Sequence, residues 1–229
     1  MKIFKDRKAA GKLLAERLKD THADLVLGIP RGGVVVAAEV AKKLKLPLDI
    51  IVTRKIGVPN QPELALGAID PDGEAVFDQD LLDQLRMDPS TEFGAGNGQL
   101  KIKIQEEWKE LKRREDLYGI THERGRLSRL EGKTVILIDD GMATGATVQA
   151  AVRYLKRHGA SIILAIPVAS KSALEKVTRE LASHPERAKR VEGSNNIIVM
   201  ETPDDFRSVG QFYHEFEPVE DEEVVQLLS

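Results

Sequence analysis

The feature of this 229-residue sequence that most limits its fold is a short apolar run that ends in two acidic residues. Residues 135–138 read VILI, and Asp139 and Asp140 follow directly. A strand with large aliphatic side chains on both faces belongs in a parallel sheet that helices cover on both sides. The run therefore predicts an α/β protein in which two carboxylates stand at the carboxyl edge of a buried sheet.

The flanking segments alternate between strand and helix patterns. Asp6 can cap a first helix, whose apolar positions are Ala10, Leu13, Leu14 and Leu18. Further strands are predicted at residues 25–29, 48–53, 162–168 and 197–200. Further helices are predicted at residues 34–44, from the small-residue loop after Asp140 to about 158, and from the Ser170 cap to about 183. Strand, helix and strand in that order form βαβ units. We therefore expect an α/β fold with a parallel-sheet core and helices on both faces.

The stretch between about residues 54 and 131 has a different pattern. The turn at residues 70–73 (DPDG) joins two short antiparallel strands, at 63–69 and 74–77. A helical stretch near 79–86, a loop at 88–98 and an amphipathic helix at 99–118 follow, and the buried stripe of that last helix is predicted to be Ile104, Trp108 and Leu111. We interpret the chain as one domain, with its core at 1–53 and 132–200, an α+β insertion or hood at about 54–131, and a C-terminal segment at 201–229.

Composition excludes several classes of protein. There is no cysteine, so disulfides, thiol catalysis and thiolate metal sites are impossible. The chain has 34 basic and 37 acidic residues, and the basic residues at 101–133 alternate with acids, which is typical of a solvated surface and not of a nucleic-acid interface. The acidic residues at 215–223 are interpreted in the same way. With no signal peptide and no apolar run long enough for a membrane span, we expect a soluble cytoplasmic protein.

The loop after the acid pair carries the main functional prediction. Residues 141–147 (GMATGAT) are small or hydroxyl-bearing, and they open a helix whose first N–H groups have no partner within it. Those N–H groups and the helix dipole favour a phosphate, to which Thr144 and Thr147 can add hydroxyl donors. Asp139 and Asp140 would repel that phosphate, so they must face sugar hydroxyls or a divalent cation. The alternative is an acidic turn followed by a helix cap at Thr144.

A second loop at the same predicted edge has a similar character. Residues 28–33 read GIPRGG, in which the glycines free the backbone and Arg31 offers donors for phosphate oxygens, although a Pro-x-Gly-Gly turn can also be purely structural. Arg54 and Lys55 are predicted to end the second strand at this edge. They are either surface cations or a further anion contact.

The pattern of four apolar residues, two acids, three variable residues and Thr-Gly-x-Thr resembles the phosphoribosyl-diphosphate motif of type I phosphoribosyltransferases. The resemblance implies that Asp139 and Asp140 bind the ribose 2′ and 3′ hydroxyls and contact Mg²⁺ indirectly or through water. It implies that the 5′-phosphate is held by Met142, Ala143, Thr144, Gly145, Ala146 and Thr147. It also implies that pyrophosphate is held by Arg31, Gly32, Gly33 and Lys55, in a loop that often has a cis peptide in this family. Asp139, Asp140, Lys55 and Arg31 are then the candidate catalytic residues.

The resemblance extends to a poorly characterised subgroup of the family through the motif at residues 4–7 (FKDR), the motif at 54–57 (RKIG) and Phe212-Tyr213. The implied function is transfer of a phosphoribosyl group from phosphoribosyl diphosphate to a nucleobase or related nitrogen acceptor, with Mg²⁺ as cofactor. A homodimer is left open. Ala143 stands where the 6-oxopurine enzymes have an aspartate, and residues 162–168 lack their base-reading lysine, which favours a second hypothesis: a non-catalytic nucleotide sensor. An α/β protein of unrelated activity is the third. Phe212 and Tyr213 could stack on a base, but packing is the expected role.

Overall fold

A computed structural model describes residues 2–59, 61–88, 97–119, 130–183 and 196–229. The helices are α1 (Arg7–Arg17), α2 (Gly32–Leu44), α3 (Gln79–Leu85), α4 (Asn97–Leu117), α5 (Ala146–Arg157), α6 (Lys171–Ala182) and α7 (Asp221–Leu228), with a short 3₁₀ helix at Val209–Phe212. The strands are β1 (Leu25–Gly28), β2 (Leu48–Ile50), β3 (Arg54–Val58), β4 (Gln61–Ile69), β5 (Ala75–Phe77), β6 (Thr134–Ile138), β7 (Ser161–Val168) and β8 (Ile197–Glu201). Within the described ranges, none of these helices combines the length and the apolar character that a membrane crossing needs.

The core is a five-stranded parallel sheet with the strand order β2-β1-β6-β7-β8. Gly28 at the end of β1 lies opposite Ile50 on one side and Ile138 on the other, and Ile138 lies opposite Ala165 of β7. The carboxyl ends of β1, β2 and β6 are therefore level with one another. The predicted α/β fold with a parallel-sheet core is confirmed.

Helices cover both faces of this sheet, as predicted. Val26 and Ile136 point towards α1 and α2, whereas their neighbours Leu27 and Leu137 point towards the side that holds α5 and α6. Alternation of side chains along each strand produces these two apolar layers. The prediction for α1 was partly wrong, because Leu13 is 53% exposed while Leu14 is fully buried.

The hood contains a three-stranded antiparallel sheet with the order β3-β4-β5, and the predicted DPDG turn joins β4 to β5. The predicted end of the second strand was wrong. β2 stops at Ile50, and Arg54 and Lys55 begin β3 in the hood sheet. Residues 50–53 are all buried and apolar or β-branched, so the strand pattern continues across the junction between two different sheets. Most of the predicted loop at 88–98, namely 89–96, lies outside the described residues.

Helix α4 packs differently from its predicted stripe. Leu100 and Leu111 are fully buried, but Trp108 is 40% exposed. The charged face is not wholly solvated either, since Glu107 is buried and its Oε2 lies 2.6 Å from Nη2 of Arg54. Burying a charged carboxylate costs much less free energy when an opposite charge is paired with it. Glu107 is therefore buried although its charge suggested a solvent-exposed position.

The two ends of the described chain pack side by side near the carboxyl edge of the sheet. Phe4 pairs with Tyr213 in a parallel bridge, and the rings of these two residues lie 5.3 Å apart. The backbone N–H of His214 donates to the carbonyl of Phe4 over 2.9 Å. Phe212 and Tyr213 are both 1% exposed, which confirms that this aromatic pair serves packing.

Candidate functional site

The candidate site lies at the carboxyl edge of the sheet, where β1 and β6 end. Asp139 and Asp140 follow β6, and the GIPRGG loop extends from the end of β1. The two loops are in contact, because a β-carbon added to Gly33 would lie only 2.8 Å from the Cα atom of Asp139. Glycine at this position lets the two backbones approach closely. The structure thus brings the two loops together.

The two acids are half-buried, and the backbone N–H of Asp140 donates to Oδ1 of Asp139 over 2.8 Å. Burial raises the pKa of Asp139 well above its usual range, and the adjacent charge of Asp140 raises that pKa further. Burial also raises the pKa of Asp140, while the positive charge of Arg7 acts in the opposite direction. Neighbouring acids with strongly perturbed pKa values are typical of functional sites.

Asp140 is in contact with a cation that the sequence did not predict. Nε of Arg7 lies 2.7 Å from Oδ2 of Asp140, and the Asp140 side chain is 14% exposed. Asp139 forms no ion pair within the described ranges. The two acids are therefore not equivalent: Asp140 is paired with Arg7, whereas the nearest groups to the Asp139 carboxyl are the N–H and the carboxyl of Asp140.

The loop after the acid pair is anchored by the turn between β7 and α6. The backbone N–H of Met142 donates to the carbonyl of Val168 over 2.9 Å. Ser170 makes two further contacts: its N–H donates to the carbonyl of Met142 over 2.8 Å, and its hydroxyl donates to the carbonyl of Ala143 over 2.6 Å. Sequence analysis identified Ser170 as the cap of α6, which the structure confirms, but it missed this support of the loop.

The start of α5 has the features of an anion site. Gly145 precedes the helix with φ of +81°, a left-handed conformation that favours glycine. In the described part of the chain, the backbone N–H groups of Ala143, Thr144 and Gly145 have no backbone acceptor. Thr144 is exposed and Thr147 is half-buried. Free N–H groups at the positive end of a helix dipole attract phosphate, so this loop can hold an anion.

Arg31 reaches the same edge from the GIPRGG loop, and the peptide bond between Pro30 and Arg31 is cis. Nη1 of Arg31 lies 3.3 Å from a carboxylate oxygen of Glu220 and 3.9 Å from one of Asp221. Glu220 is exposed, as expected of a solvated acid, and Asp221 is half-buried; their proximity to Arg31 was not predicted. They lie beside the predicted pyrophosphate contact because α7 begins next to the start of α2.

Lys55 and Arg54 differ in their surroundings. The Lys55 side chain is exposed, and its charge lowers the pKa values of both Asp139 and Asp140, which places it within electrostatic range of the acid pair. Arg54 instead donates to Oε2 of Glu107 from Nε and Nη2, over 2.9 and 2.6 Å. Of the two cations, only Lys55 remains available to an anion at the site.

Residues 3–206 match a family model described as "Phosphoribosyl transferase domain". The chain belongs to this family. Two curated Mycobacterium tuberculosis sequences, from strains CDC 1551 and H37Rv, are each named "Putative phosphoribosyl transferase" and are 38% identical to it over 232 residues. Those matches cover all of this phosphoribosyl transferase domain but only 47% of each relative, so the chain spans about half the length of the curated relatives it matches.

The chain is also similar to a solved structure and, over a short segment, to a third curated protein. The crystal structure of TT1426 from Thermus thermophilus superposes on the phosphoribosyl transferase domain with a TM-score of 0.71. That pair is 35% identical, and the alignment covers 99% of this chain and 97% of the other. A shorter match, 47% identical over 51 residues, links 21% of this chain to 16% of the ribose-phosphate pyrophosphokinase of a Marinomonas strain.

The family resemblance implies Mg²⁺, so the oxygen ligands that this phosphoribosyl transferase domain offers decide how such an ion could be held. No group of three or more potential metal-ligating side chains occurs among the residues that the structure describes. Mg²⁺ that keeps water and substrate phosphate oxygens needs only one or two protein carboxylates. Asp139 and the oxygen of Asp140 that Arg7 leaves free fit such a substrate-borne ion, directly or through water. They do not form a cage for a resident metal.

Proposed function

We propose that the chain transfers a phosphoribosyl group from phosphoribosyl diphosphate to a nitrogen acceptor, a nucleobase or a related compound. The bond between the anomeric carbon and the diphosphate oxygen breaks, and pyrophosphate leaves with the electron pair. A bond from the acceptor nitrogen to that carbon forms, and the nitrogen releases its proton. The name of the mycobacterial relatives supports a transfer of this kind.

The observation that carries this proposal is the contact of the loop at residues 28–33 with the acid pair, which leads directly into the helix-opening loop. The helix-opening loop at residues 142–147 suits a 5′-phosphate, and the loop with Arg31 suits the diphosphate at the other end of the ribose. Asp139 and Asp140 lie between the two loops, where carboxylates can accept hydrogen bonds from the two ring hydroxyls. A molecule with phosphates at both ends of a pentose matches all three elements.

In this scheme the protein's contribution is positioning and charge stabilisation. The transition state resembles a carbocation at the anomeric carbon, with negative charge growing on the leaving pyrophosphate. Arg31 and Lys55 stand on the pyrophosphate side and offset that charge. The phosphate loop, held by Ser170, keeps the other end of the substrate in place, so that the reacting carbon faces the acceptor.

Magnesium belongs in this proposal as part of the substrate. Bound to the diphosphate, Mg²⁺ would neutralise part of its charge and act as a Lewis acid on the leaving group. Asp139 is the protein group that fits such an ion best, because Asp140 already shares its charge with Arg7. Burial and the charge of Asp140 raise the pKa of Asp139, so a nearby cation would stabilise its ionised form.

A second candidate is a sensor that binds a phosphoribosyl compound without turnover. Ala143 and the absence of lysine from β7 favour it, since neither position offers a polar contact to an acceptor base. The contact between Arg31 and Glu220 also favours it, because the arginine meant for pyrophosphate is already paired. Lys55 favours the enzyme, since a sensor of nucleoside monophosphates would have no need of a cation on that side.

The test is a screen of nitrogen acceptors with phosphoribosyl diphosphate and Mg²⁺, in which pyrophosphate release and ligand binding are both measured. Asp139→Asn and Lys55→Ala should abolish or strongly reduce release. Arg153→Ala, which removes an arginine–carboxylate pair with Glu180 on the helical layer, is the matched control and should keep the wild-type rate.

Each outcome assigns a function. Release with one acceptor, lost in Asp139→Asn, supports the transferase. Binding of phosphoribosyl diphosphate without release for any acceptor supports the sensor. If no phosphoribosyl compound binds, both candidates are wrong.

A further inference from the structure

Arg7 is the first residue of α1, and its side chain reaches the candidate site from the edge of the fold. The side chain is 12% exposed, and Nε lies 2.7 Å from Oδ2 of Asp140. Nη1 donates to the backbone carbonyl of Glu217 over 2.8 Å, and the guanidinium carbon lies 3.7 Å from the ring centroid of Phe216. One face and two nitrogens of the guanidinium are thus bound at the same time.

These contacts fix Arg7 in place. An exposed ion pair contributes little because both side chains move and water screens their charges. Here the arginine is stacked on an aromatic ring and held by a backbone carbonyl that belongs to the C-terminal segment. A planar guanidinium that is bound in this way orients whatever it contacts.

Asp140 is fixed from two other directions. The hydroxyl of Tyr213 donates to the backbone carbonyl of Asp140 over 2.6 Å. Beneath the ion pair lies Gly32, where an added β-carbon would come within 1.9 Å of Oδ2 of Asp140 and 2.7 Å of Nε of Arg7. The missing side chain at Gly32 therefore provides the space in which the arginine and the carboxylate meet.

The pairing leaves the carboxylate usable by a ligand. Arg7 contacts Oδ2 of Asp140, so the ion pair uses only one carboxylate oxygen, and the carboxyl of Asp139 is the other acidic group beside it. A carboxylate that is held through one oxygen presents the other in a constant direction. That arrangement suits a hydrogen bond that the carboxylate accepts from a hydroxyl, because the strength of a hydrogen bond depends on its geometry.

We propose that Arg7 is a positioning residue that orients the Asp140 carboxylate towards a ribose hydroxyl and thereby gives the site its preference for a pentose that carries its ring diol. This inference rests on the proposed function, since it assumes that the acid pair binds the diol. It extends that function by assigning selectivity for the hydroxyls to a residue that acts through its contact with Asp140. The loop at residues 142–147 supplies phosphate affinity, and Arg7 acts only on the sugar.

The experiment compares ribose 5-phosphate with 2,3-dideoxyribose 5-phosphate by titration calorimetry, because both carry the phosphate and only one carries the diol. We expect wild-type protein to bind ribose 5-phosphate more tightly. Arg7→Ala should reduce this preference by about tenfold to a hundredfold, the range for a lost hydrogen bond to a charged group, while affinity for the dideoxy compound stays nearly constant. Arg153→Ala is the matched control and should leave the preference unchanged.

Two more variants separate positioning from general destabilisation. Arg7→Lys keeps the charge but has no fork of donors to span Asp140 and Glu217, so it should recover only part of the preference. In an Asp140→Asn background, Arg7→Lys should change the preference no further, because Arg7 acts through Asp140. Circular dichroism melts of each variant establish that the fold is retained.

The contrary results are distinct. Tighter binding of ribose 5-phosphate by Arg7→Ala or Arg7→Lys would mean that Arg7 competes with the sugar, and the inference would be wrong. An unchanged preference in both variants would also overturn it while leaving the proposed function intact. If wild-type protein binds neither sugar phosphate, the proposed function itself fails.

Discussion

At the scale of single residues, the candidate site contains two half-buried acidic side chains, Asp139 and Asp140. The pKa of Asp139 is raised first by burial and then by the charge of Asp140. An acid with a raised pKa binds its proton more tightly in the folded state than in the unfolded chain. As the pH rises above the unfolded-state value, Asp139 therefore opposes folding, which is expected of a group kept for ligand binding and not for stability.

Asp139→Asn should stabilise the protein at pH 7.5, and the gain should shrink as the pH falls towards 4. Below the unfolded-state pKa of about 3.9 both states are protonated, so wild type and variant converge; the penalty grows as the pH rises towards the folded-state value. Each pKa unit corresponds to about 1.4 kcal/mol. For a chain of this length 1 kcal/mol moves Tm by about 2–4 °C, which scanning calorimetry resolves.

Asp204→Asn is the control for this measurement. Asp204 is exposed, and contact with Lys171 lowers its pKa, so its removal should not stabilise the protein at any pH. A Tm difference for Asp139→Asn that is absent at pH 7.5, or that grows on acidification, would contradict the assignment of a raised pKa.

Sequence reasoning located the main-chain elements of the site but not the residues that orient them. Asp139, Asp140 and the two loops follow from local patterns: apolar runs, glycines and helix starts. Arg7 carries no such pattern, because an arginine in the first turn of a helix is ordinary and its partner lies 133 positions away. Arg7 entered the sequence analysis only through the resemblance of residues 4–7 to the family subgroup, and that resemblance assigned no role to it.

At the scale of elements, the phosphate loop depends on the turn before α6. Ser170 both caps α6 and donates its hydroxyl to the carbonyl of Ala143. Ser170→Ala should cost about 0.5–2 kcal/mol for the lost cap. It should also weaken binding of ribose 5-phosphate, because the loop loses one of its anchors. Thermal melts and calorimetry measure the two effects separately.

Ser183→Ala is the matched control, since its hydroxyl bonds to the carbonyl of Glu180 at the other end of the same helix. It should leave ligand affinity unchanged. Equal affinities for Ser170→Ala and Ser183→Ala would show that the loop does not need this anchor.

The start of α7 should compete with pyrophosphate for Arg31. Glu220→Gln removes the carboxylate that lies 3.3 Å from Nη1 of Arg31, and affinity for inorganic pyrophosphate should rise. The pair is largely exposed, so the gain should be modest, about twofold to fivefold. Glu222→Gln changes the charge of the same helix by the same amount and should have less effect. Weaker pyrophosphate binding in Glu220→Gln would mean that Glu220 positions Arg31 instead.

The elements that sequence reasoning placed wrongly share a cause. The start of β3 was assigned to the end of the second strand because residues 50–53 continue an apolar and β-branched pattern, and local pattern does not show where a chain changes sheets. Trp108 and Glu107 exchanged expected environments on α4 because an ion pair with Arg54 overrides the usual link between charge and exposure. Pairing between distant residues decided both cases.

At the scale of the whole molecule, the hood and the parallel sheet share one apolar core. Leu66 and Leu111 of the hood belong to the same buried cluster as Leu137 and Leu164 of the sheet. Arg157 on α5 also contacts Asp70, a fully buried residue at the hood turn, over 2.5 Å. A shared core favours one cooperative unfolding transition.

Trp108 makes this testable, because it is the only tryptophan and it lies on the hood helix α4. Urea unfolding followed by Trp108 fluorescence and by circular dichroism at 222 nm should give coincident midpoints. A fluorescence midpoint at clearly lower urea would show that the hood unfolds on its own. The homodimer left open by the family resemblance stays a prediction, which light scattering coupled to size exclusion addresses.

The contact between Arg7 and the carbonyl of Glu217 joins positions that are 210 residues apart. During synthesis on the ribosome, Arg7 is made before every strand of the parallel sheet, whereas Phe216 and Glu217 follow its last strand, β8. The chain therefore completes the strands of its sheet before it completes the surroundings of Asp140. The ability to bind a sugar should therefore require the segment that is made after the sheet.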